Sequence, residues 1–410
     1  MKITNDDILE LNKNPLELFY NSFRSQSTKT SYIRKLKKVL CDYLEDVLHG
    51  TFEERVLEFV NISKNDTDKT TSILLALSKE LKKRTTLNKD DDNYLNPSSF
   101  SNFFKPIKKL LDMNGIAIVW KLIYSTYPEN DNLDDSRGYD KSEIEKMLNY
   151  CKGSLDRMII LISSSSGIRV GGLSGLTWND LVPVYKVNDK LVLEIKESEI
   201  NESEIVCAVL RVYRNTSEEY PALITPEAYN SIMSYRNSWI NETMQNPKPE
   251  NPLLKNSGLF VKPINESAIR KRIERILINS GIRTSLEKSK RRHEIPAMNG
   301  FRRFFNKVNK ETISQDSTLA SLIKKEYMMS HTGLVKLDRN YFKTHIFELV
   351  EEYLNAVPSL TISNEQRLKS ENHVLRKEKS ELETTKQELE ELKRDVRLIK
   401  KYSNLIPKNN

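Results

Sequence analysis

Apolar residues change their spacing along this chain, and that change limits the folds available to it. Over residues 15–126 they recur at helical spacing, first in the run from Tyr32 to Leu44 and again from Phe100 to Leu111. From Leu181 to Ile224 they alternate in short stretches instead, which is typical of strands. Helical spacing returns from Pro226 onward. The pattern predicts an α+β protein that is mostly α, with one small sheet.

The chain is long enough, at 410 residues, for two or three domains. The stretch 127–138 is polar and carries Pro, Gly and several Asp residues, which is the composition of a linker. We therefore expect a helical domain over 15–126 and a mixed domain over 139–358.

Residues 363–402 carry a large apolar side chain at every seventh position. These are Leu368, Leu375, Leu382, Leu389 and Val396. The partner position of the heptad is apolar only in the last two heptads, so half of a coiled-coil seam is present. The segment is predicted to be a long helix. Self-association, packing on the same chain and a solvated single helix all remain open.

Composition narrows the class of protein and its partners. Lys and Arg number 65 against 57 Asp and Glu, a net charge of +8 that favours a polyanionic partner. Gly (12) and Pro (14) are too scarce for a collagen-like or glycine-rich β architecture. Basic residues cluster between Lys29 and Lys38, where Lys29, Arg34 and Lys35 are candidate DNA contacts; a solvated helix face is the alternative.

Three features predict a protein of the cytoplasm. The cysteines, Cys41, Cys151 and Cys207, are far apart and odd in number, so a reducing compartment fits best. No run approaches 18 apolar residues, and the acidic, polar start lacks the parts of a secretory signal. No membrane partner is expected.

Common cofactor and catalytic motifs are missing from the sequence. There is no phosphate-binding GxxxxGK[ST], no GxGxxG, no HExxH and no His/Cys cluster at ligand spacing. A Ser-His-Asp hydrolase is not supported either, because the GxSxG elbow is absent. The run from Ser163 to Ser166 is interpreted as a helix-end packing feature. We expect neither cofactor nor metal.

Four short boxes in the second domain do carry a pattern. The first is SGIRVGGLSGLTWND over 166–180, and the second is NGFRRFFN over 299–306. The third is MSHTG over 329–333, and the fourth is LDRNYFK over 337–343. In this order they supply Arg169, Arg302, His331 and Tyr341, with ten residues from the histidine to the tyrosine. The order and spacing are more specific than any single box.

This series resembles the tyrosine recombinase (phage integrase) family, most of all archaeal virus and plasmid integrases and Xer-type recombinases. The first box is similar to the family's TGxRxxELxxLxWxD, with Gly167, Arg169 and Leu173 among the matches, as are Leu176, Trp178 and Asp180. The resemblance covers about residues 140–358. It implies a helical, SAM-like core DNA-binding domain followed by a catalytic domain that contains a small antiparallel sheet.

Three positions depart from the family pattern. Gly172 stands where the family usually has a glutamate that braces the first arginine, and Asn299 replaces the usual histidine of the second box. The family's hairpin lysine has Arg214 nearest to its expected place, with Lys190 and Lys196 as other candidates. An arginine holds phosphate well but is a poor proton donor, because its pKa exceeds about 12.

The resemblance implies phosphoryl transfer on DNA without metal or ATP. Tyr341 would attack a backbone phosphorus and leave a 3′-phosphotyrosyl link, which conserves the phosphodiester energy for religation. The guanidinium groups of Arg169 and Arg302 would clamp the non-bridging oxygens. His331 would donate to the phosphate or help to deprotonate Tyr341. Asn299 can donate or accept a hydrogen bond but cannot act as an acid or base.

The resemblance implies double-stranded DNA as the partner, recombined by four protomers, and hence association with the nucleoid. Lys290, Arg291 and Arg292 form a basic run that is predicted to contact the DNA backbone. The stretch from Phe347 to Ile362 is expected to dock on a neighbouring protomer. Two alternatives stay open. One is a type IB topoisomerase-like enzyme; the other is a catalytically inactive DNA-binding architectural protein, which the departures at Gly172, Asn299 and Arg214 would favour.

Overall fold

The structure is a computed structural model that describes most of the chain between Asn14 and Asn364. The described ranges are 14–88, 90–129, 136–188, 190–193, 204–284, 293–312, 319–330 and 345–364, together with 368, 386 and 392–394. These residues divide into two compact units, one up to residue 129 and the other from Ser136 onward.

The described part of the first unit is helical. Its helices are α1 (Pro15–Asn21), α2 (Gln26–Lys38), α3 (Phe52–Asn65), α4 (Thr67–Thr85), α5 (Ser101–Met113) and α6 (Trp120–Tyr124). Local capping explains two of these starts. Thr51 and Glu54 form a reciprocal capping box at α3, and the Asp66 carboxylate accepts a bond of 2.7 Å from the Lys69 N–H at α4.

The core of the first unit includes a residue that the sequence pattern assigned to the linker. The Tyr127 ring lies edge-on against Phe100, with ring centroids 4.8 Å apart, and it also contacts Phe104. At the other end of the predicted linker, Arg137 donates to the Glu143 carboxylate at 2.7 and 2.8 Å within the second unit. The segment between the packed parts of the two units is therefore shorter than the predicted 127–138.

The second unit surrounds one buried helix. Its elements are α7 (Lys141–Asn149), α8 (Ser154–Ser166), α9 (Val170–Ser174), β1 (Leu181–Val187), β2 (Lys190–Val192), β3 (Glu204–Val212), β4 (Tyr220–Ile224), α10 (Pro226–Thr243), α11 (Glu266–Asn279), α12 (Ala297–Thr312), α13 (Leu319–Met328), α14 (Ile346–Leu354) and α15 (Val357–Leu360). Ten of the thirteen residues of α8 are buried, so this helix is the centre of the unit rather than a surface helix.

The sheet is antiparallel, with strand order β2-β1-β3-β4. Val184 pairs with Cys207 across β1 and β3, and a bulge follows between Val184 and Tyr185. Leu210 pairs with Ala222 across β3 and β4. The hairpin between β3 and β4 begins beside α9, which places its residues near the Arg169 turn.

The C-terminal helices pack onto the second unit itself. Leu349, Val350 and Tyr353 of α14 are fully buried, and the Tyr353 hydroxyl donates to the Ser165 carbonyl at 2.8 Å. This differs from the expectation that Phe347 to Ile362 docks on a neighbouring protomer. The physical reason is that the apolar side chains of this segment fill the core of their own unit.

The predicted fold class, α+β and mostly α with a small antiparallel sheet, is confirmed. Within the ranges that the structure describes, no helix has both the length and the apolar character needed to cross a bilayer. The long helix predicted over 363–402 lies almost wholly outside the described residues.

Candidate functional site

A left-handed turn presents the first arginine. Helix α8 ends at Gly167, whose φ of 59° is a conformation that glycine adopts readily, and its N–H donates to the Ser163 carbonyl at 3.0 Å. A β-carbon at this position would also lie 2.8 Å from the Phe305 ring, so the turn has no room for a side chain. Arg169 follows at the start of α9 with its side chain exposed.

The second arginine, Arg302 on α12, is anchored to that turn. Its Nη1 donates to the Gly167 carbonyl at 2.8 Å, and its Nη2 donates to the Met329 carbonyl at the end of α13. Gly167 and Arg302 are 135 positions apart in the chain. The fold thus brings the first two sequence boxes together, and the first residue of the third box joins them.

The pKa of Arg302 shows that a second positive charge acts on it at this site. Burial, followed by the positive charge of Arg169, lowers the pKa of Arg302 to about 10. The guanidinium remains charged at neutral pH. The Glu326 carboxylate raises the pKa of Arg302 and so offsets part of this effect. Two guanidinium groups in one site can bind a negatively charged group such as a phosphate.

Two tyrosines of the β3–β4 hairpin lie beside the arginines. Tyr213 and Tyr220 have ring centroids 6.3 Å apart, and the charges of both Arg169 and Arg302 act on both phenols. Tyr220 is 3% exposed, and burial raises its pKa to about 12. Its hydroxyl has no hydrogen-bond partner among the described residues. Sequence reasoning assigned neither tyrosine to the site.

The carboxylate of Glu266, the first residue of α11, lies beside α9 near Tyr213. A β-carbon on Gly171 would lie 2.9 Å from Oε1 of Glu266 and 3.4 Å from the Tyr213 hydroxyl. Glu266 was not predicted, because it lies far along the chain from both boxes. A β-carbon on Gly172 would lie 2.6 Å from Cγ1 of Val212, so this backbone has no space for the glutamate that the family usually carries there.

Arg214 was predicted to contact a phosphate, and in the structure its guanidinium lies near a carboxylate. Its Nη1 lies 3.8 Å from Oδ1 of Asp180, and its side chain is 35% exposed. The other Asp180 oxygen accepts from the Thr177 N–H and hydroxyl, at 2.8 and 2.7 Å. The pair ties the hairpin to the end of the first box. A phosphate contact by Arg214 stays a prediction.

The remaining predicted catalytic residues differ in what the structure shows. Asn299 lies on α12 with an exposed side chain, three residues before Arg302, so the two side chains lie on one face of the helix. His331 and Tyr341 lie outside the described residues, as do the alternative lysine at 196 and the basic residues 290–292. Lys190 is described and exposed at the start of β2.

The basic face of the first unit involves two helices. Lys29 of α2 lies with its amine 4.8 Å from the Tyr20 ring centroid. Desolvation, together with the charges of Lys105 and Arg34, lowers the pKa of Lys35. Lys105 belongs to α5 and was not predicted, because nothing in the local sequence shows that the two helices bring their lysines together. Clustered cations of this kind favour a polyanion.

Metal-ligating side chains do not cluster in the described ranges. No three His, Cys, Asp or Glu residues there are placed to hold an ion together.

Comparisons with known proteins give structural similarity alone. No family model matches the chain, and no curated protein matches it. A XerH site-specific recombinase bound to palindromic difH substrate is 14% identical with a TM-score of 0.44, over 83% of this chain and 92% of that one. A lambda integrase (75–356) dimer bound to a COC′ core site is 12% identical with a TM-score of 0.41, over 83% and 95%. A Tn1549 transposon integrase (aa 82–397) in complex with circular intermediate DNA is 13% identical with a TM-score of 0.35, over 77% and 99%.

Proposed function

We propose that this protein is a site-specific DNA recombinase of the tyrosine recombinase family. The observation that carries the proposal is that Arg302 donates to the Gly167 carbonyl at 2.8 Å, two residues before Arg169, and that the charge of Arg169 acts on Arg302. Two guanidinium groups at one turn match the bidentate recognition of a phosphate. The resemblance of the boxes then assigns the phosphate to the DNA backbone.

In the proposed reaction, Tyr341 attacks a backbone phosphorus and displaces the 5′-oxygen. Negative charge spreads over the non-bridging oxygens in the transition state, where Arg169 and Arg302 stabilise it. His331 helps to remove the tyrosine proton or donates to the phosphate, and Asn299 donates a hydrogen bond from the face of α12 that carries Arg302. The 3′-phosphotyrosyl link stores the bond energy, so rejoining needs no ATP.

The proposed partner is double-stranded DNA, acted on by a tetramer of this chain. Lys29, Arg34 and Lys35 of the first unit contact the phosphate backbone in this proposal, with Lys105 beside them, and the run 290–292 adds further contacts. Such contacts fix position on the duplex without reading its sequence. Whether the exchange integrates, excises or resolves depends on the DNA sites that the tetramer joins.

The test uses the full chain and a supercoiled plasmid that carries the DNA flanking its gene. After quenching with detergent, we expect DNA covalently attached to protein, with a free 5′-hydroxyl that a polynucleotide kinase can label. The Tyr341→Phe variant should form no adduct. Mapping the labelled ends locates the cleavage site.

Other outcomes identify the alternatives. Relaxation of plasmids with and without the flanking DNA, at equal rates, would indicate a type IB topoisomerase-like enzyme. DNA binding without any adduct would overturn the proposal and indicate an architectural protein.

A further inference from the structure

The hairpin between β3 and β4 contains two neighbouring polar residues, Tyr213 and Arg214, whose side chains lie beside different parts of the unit. Arg214 pairs with Asp180 at 3.8 Å. Tyr213, the residue before it, lies in the left-handed region with φ of 54°, and its hydroxyl lies 3.4 Å from the place of a β-carbon on Gly171. Gly171 is two residues past Arg169, so the phenol lies over the start of α9.

On the proposed function above, we propose that Tyr213 is the general acid that protonates the leaving 5′-oxygen. The phenol is half-buried beside Arg169 and Arg302, and its hydroxyl makes no hydrogen bond to the described residues. Within the described part of the chain the hydroxyl is thus available as a donor, near the start of the helix that Arg169 precedes. Arg214 is a poor candidate for this role, because a guanidinium does not release its proton near neutral pH.

The surroundings of Tyr213 suit an acid that must hold its proton and then release it. Burial raises its pKa, the nearby carboxylates of Glu218 and Glu266 raise it further, and the charges of Arg169 and Arg302 lower it. The phenol is consequently protonated at neutral pH. Once the proton has left, the two guanidinium groups stabilise the phenolate.

The proton and electron balance of the step is complete. The Tyr341 oxygen forms a bond to phosphorus as the P–O5′ bond breaks, and its proton passes to a base, for which His331 is the candidate. The electron pair of the broken bond stays on O5′, which takes the proton of the Tyr213 hydroxyl. The phenolate persists in the covalent intermediate, and in the rejoining step it accepts the proton of the attacking 5′-hydroxyl by microscopic reversibility.

The test replaces the leaving oxygen with sulfur. A synthetic duplex of the mapped site is made with either a normal or a 5′-bridging phosphorothiolate bond at the cleaved position. A thiolate leaves without protonation, because a thiol is far more acidic than an alcohol. We expect Tyr213→Phe to cleave the oxygen duplex roughly 100-fold or more slowly than the natural protein, and the sulfur duplex within about tenfold of it.

Three further variants make the result specific. Arg169→Ala should remain slow on both duplexes, because it loses stabilisation of the transition state rather than a proton. Tyr150→Phe, an exposed tyrosine at the end of α7, is the matched control and should cleave both duplexes normally. Any loss in Arg214→Ala should persist on the sulfur duplex.

The inference is overturned if Tyr213→Phe cleaves the oxygen duplex normally, or if sulfur restores Arg214→Ala and not Tyr213→Phe. It is also overturned if Tyr213→Phe is equally slow on both duplexes. The proposed function fails separately, when the natural protein forms no adduct with any DNA.

Discussion

The Arg302 guanidinium donates to the Gly167 carbonyl at 2.8 Å, so the second arginine of the site holds the turn that presents the first. This bond couples the position of Arg302 to the conformation of the turn before Arg169. Arg302 also donates to the Met329 carbonyl, and one side chain therefore joins α12, the end of α8 and the end of α13. A planar guanidinium can satisfy both carbonyls at once, whereas an ammonium group cannot reproduce the fork.

Replacing Arg302 with lysine tests this coupling. We expect Arg302→Lys to lower the rate of adduct formation by roughly 100-fold or more, because one of two cationic forks is lost. The control is Arg303→Lys, the adjacent arginine of α12, which donates to the Ser136 carbonyl away from the site. Both variants should lose some stability in thermal melts, and only Arg302→Lys should lose cleavage. Equal cleavage by the two variants would contradict the role of Arg302.

Replacing Gly172 with glutamate, the usual residue in the family that the sequence resembles, is expected to lower the stability of the protein. A β-carbon there would lie 2.6 Å from Cγ1 of Val212, and Ile168 crowds the other side at 3.3 Å. Gly172→Glu and Gly172→Ala should each destabilise the protein by about 1–3 kcal/mol, measured by denaturant unfolding. Gly175→Ala is the matched control, since its β-carbon would meet only ordinary contacts, the nearest at 3.6 Å. Adding Val212→Ala should recover part of the loss in Gly172→Ala.

Gly172 also shows where prediction from sequence stops. The alternating stretches from Leu181 to Ile224 and the return of helical spacing at Pro226 are local patterns, and the structure has its strands and α10 where they were expected. The contacts of Gly172 with Val212, of Arg214 with Asp180 and of Glu266 with Gly171 join distant parts of the chain. No local spacing encodes them, and so Tyr213 and Glu266 were missed although the hairpin itself was found.

Lys325 should make stability depend on pH in the alkaline range. It is 6% exposed, its amine has no hydrogen-bond partner among the described residues, and burial lowers its pKa to about 8 despite the opposing charge of Glu352. Between pH 8 and its unfolded pKa near 10.5, the unfolded chain binds more protons than the folded one, so this group makes stability rise with pH. Below pH 8 the cost of the buried charge is fully present.

The measurement for Lys325 is the free energy of unfolding across that pH range. Lys325→Met should raise stability at pH 7 by roughly 1–3 kcal/mol and flatten the rise above pH 8. Lys324→Met, at the preceding position, removes an amine that lies 3.8 Å from Glu348 and should leave the slope in place. An unchanged slope in Lys325→Met would show that the amine is not the source.

The first unit should bind DNA with a salt dependence that its basic face sets. Lys35→Ala and Arg34→Ala in the full chain should each reduce the slope of log affinity against log salt by about 1, uniformly across DNA sequences. Lys83→Ala serves as the control, because that amine is 65% exposed and pairs with Glu80. A slope that changes equally in all three variants would point to net charge alone rather than to phosphate contacts on this face.

Glu227 should stabilise the packing of residues 362 and 363 against the rest of the second unit. Its carboxylate accepts the N–H groups of Ile362 and Ser363, at 2.7 and 3.0 Å, although these residues lie 135 and 136 positions away. Each carboxylate oxygen accepts one N–H and a glutamine has only one acceptor oxygen, so Glu227→Gln should cost about 1–3 kcal/mol and speed hydrogen exchange at the two amides. Glu250→Gln, at an exposed position, should change neither quantity. If exchange at Ile362 and Ser363 stays slow in Glu227→Gln, burial of Leu360 and Ile362, rather than the carboxylate, holds this segment on its own unit.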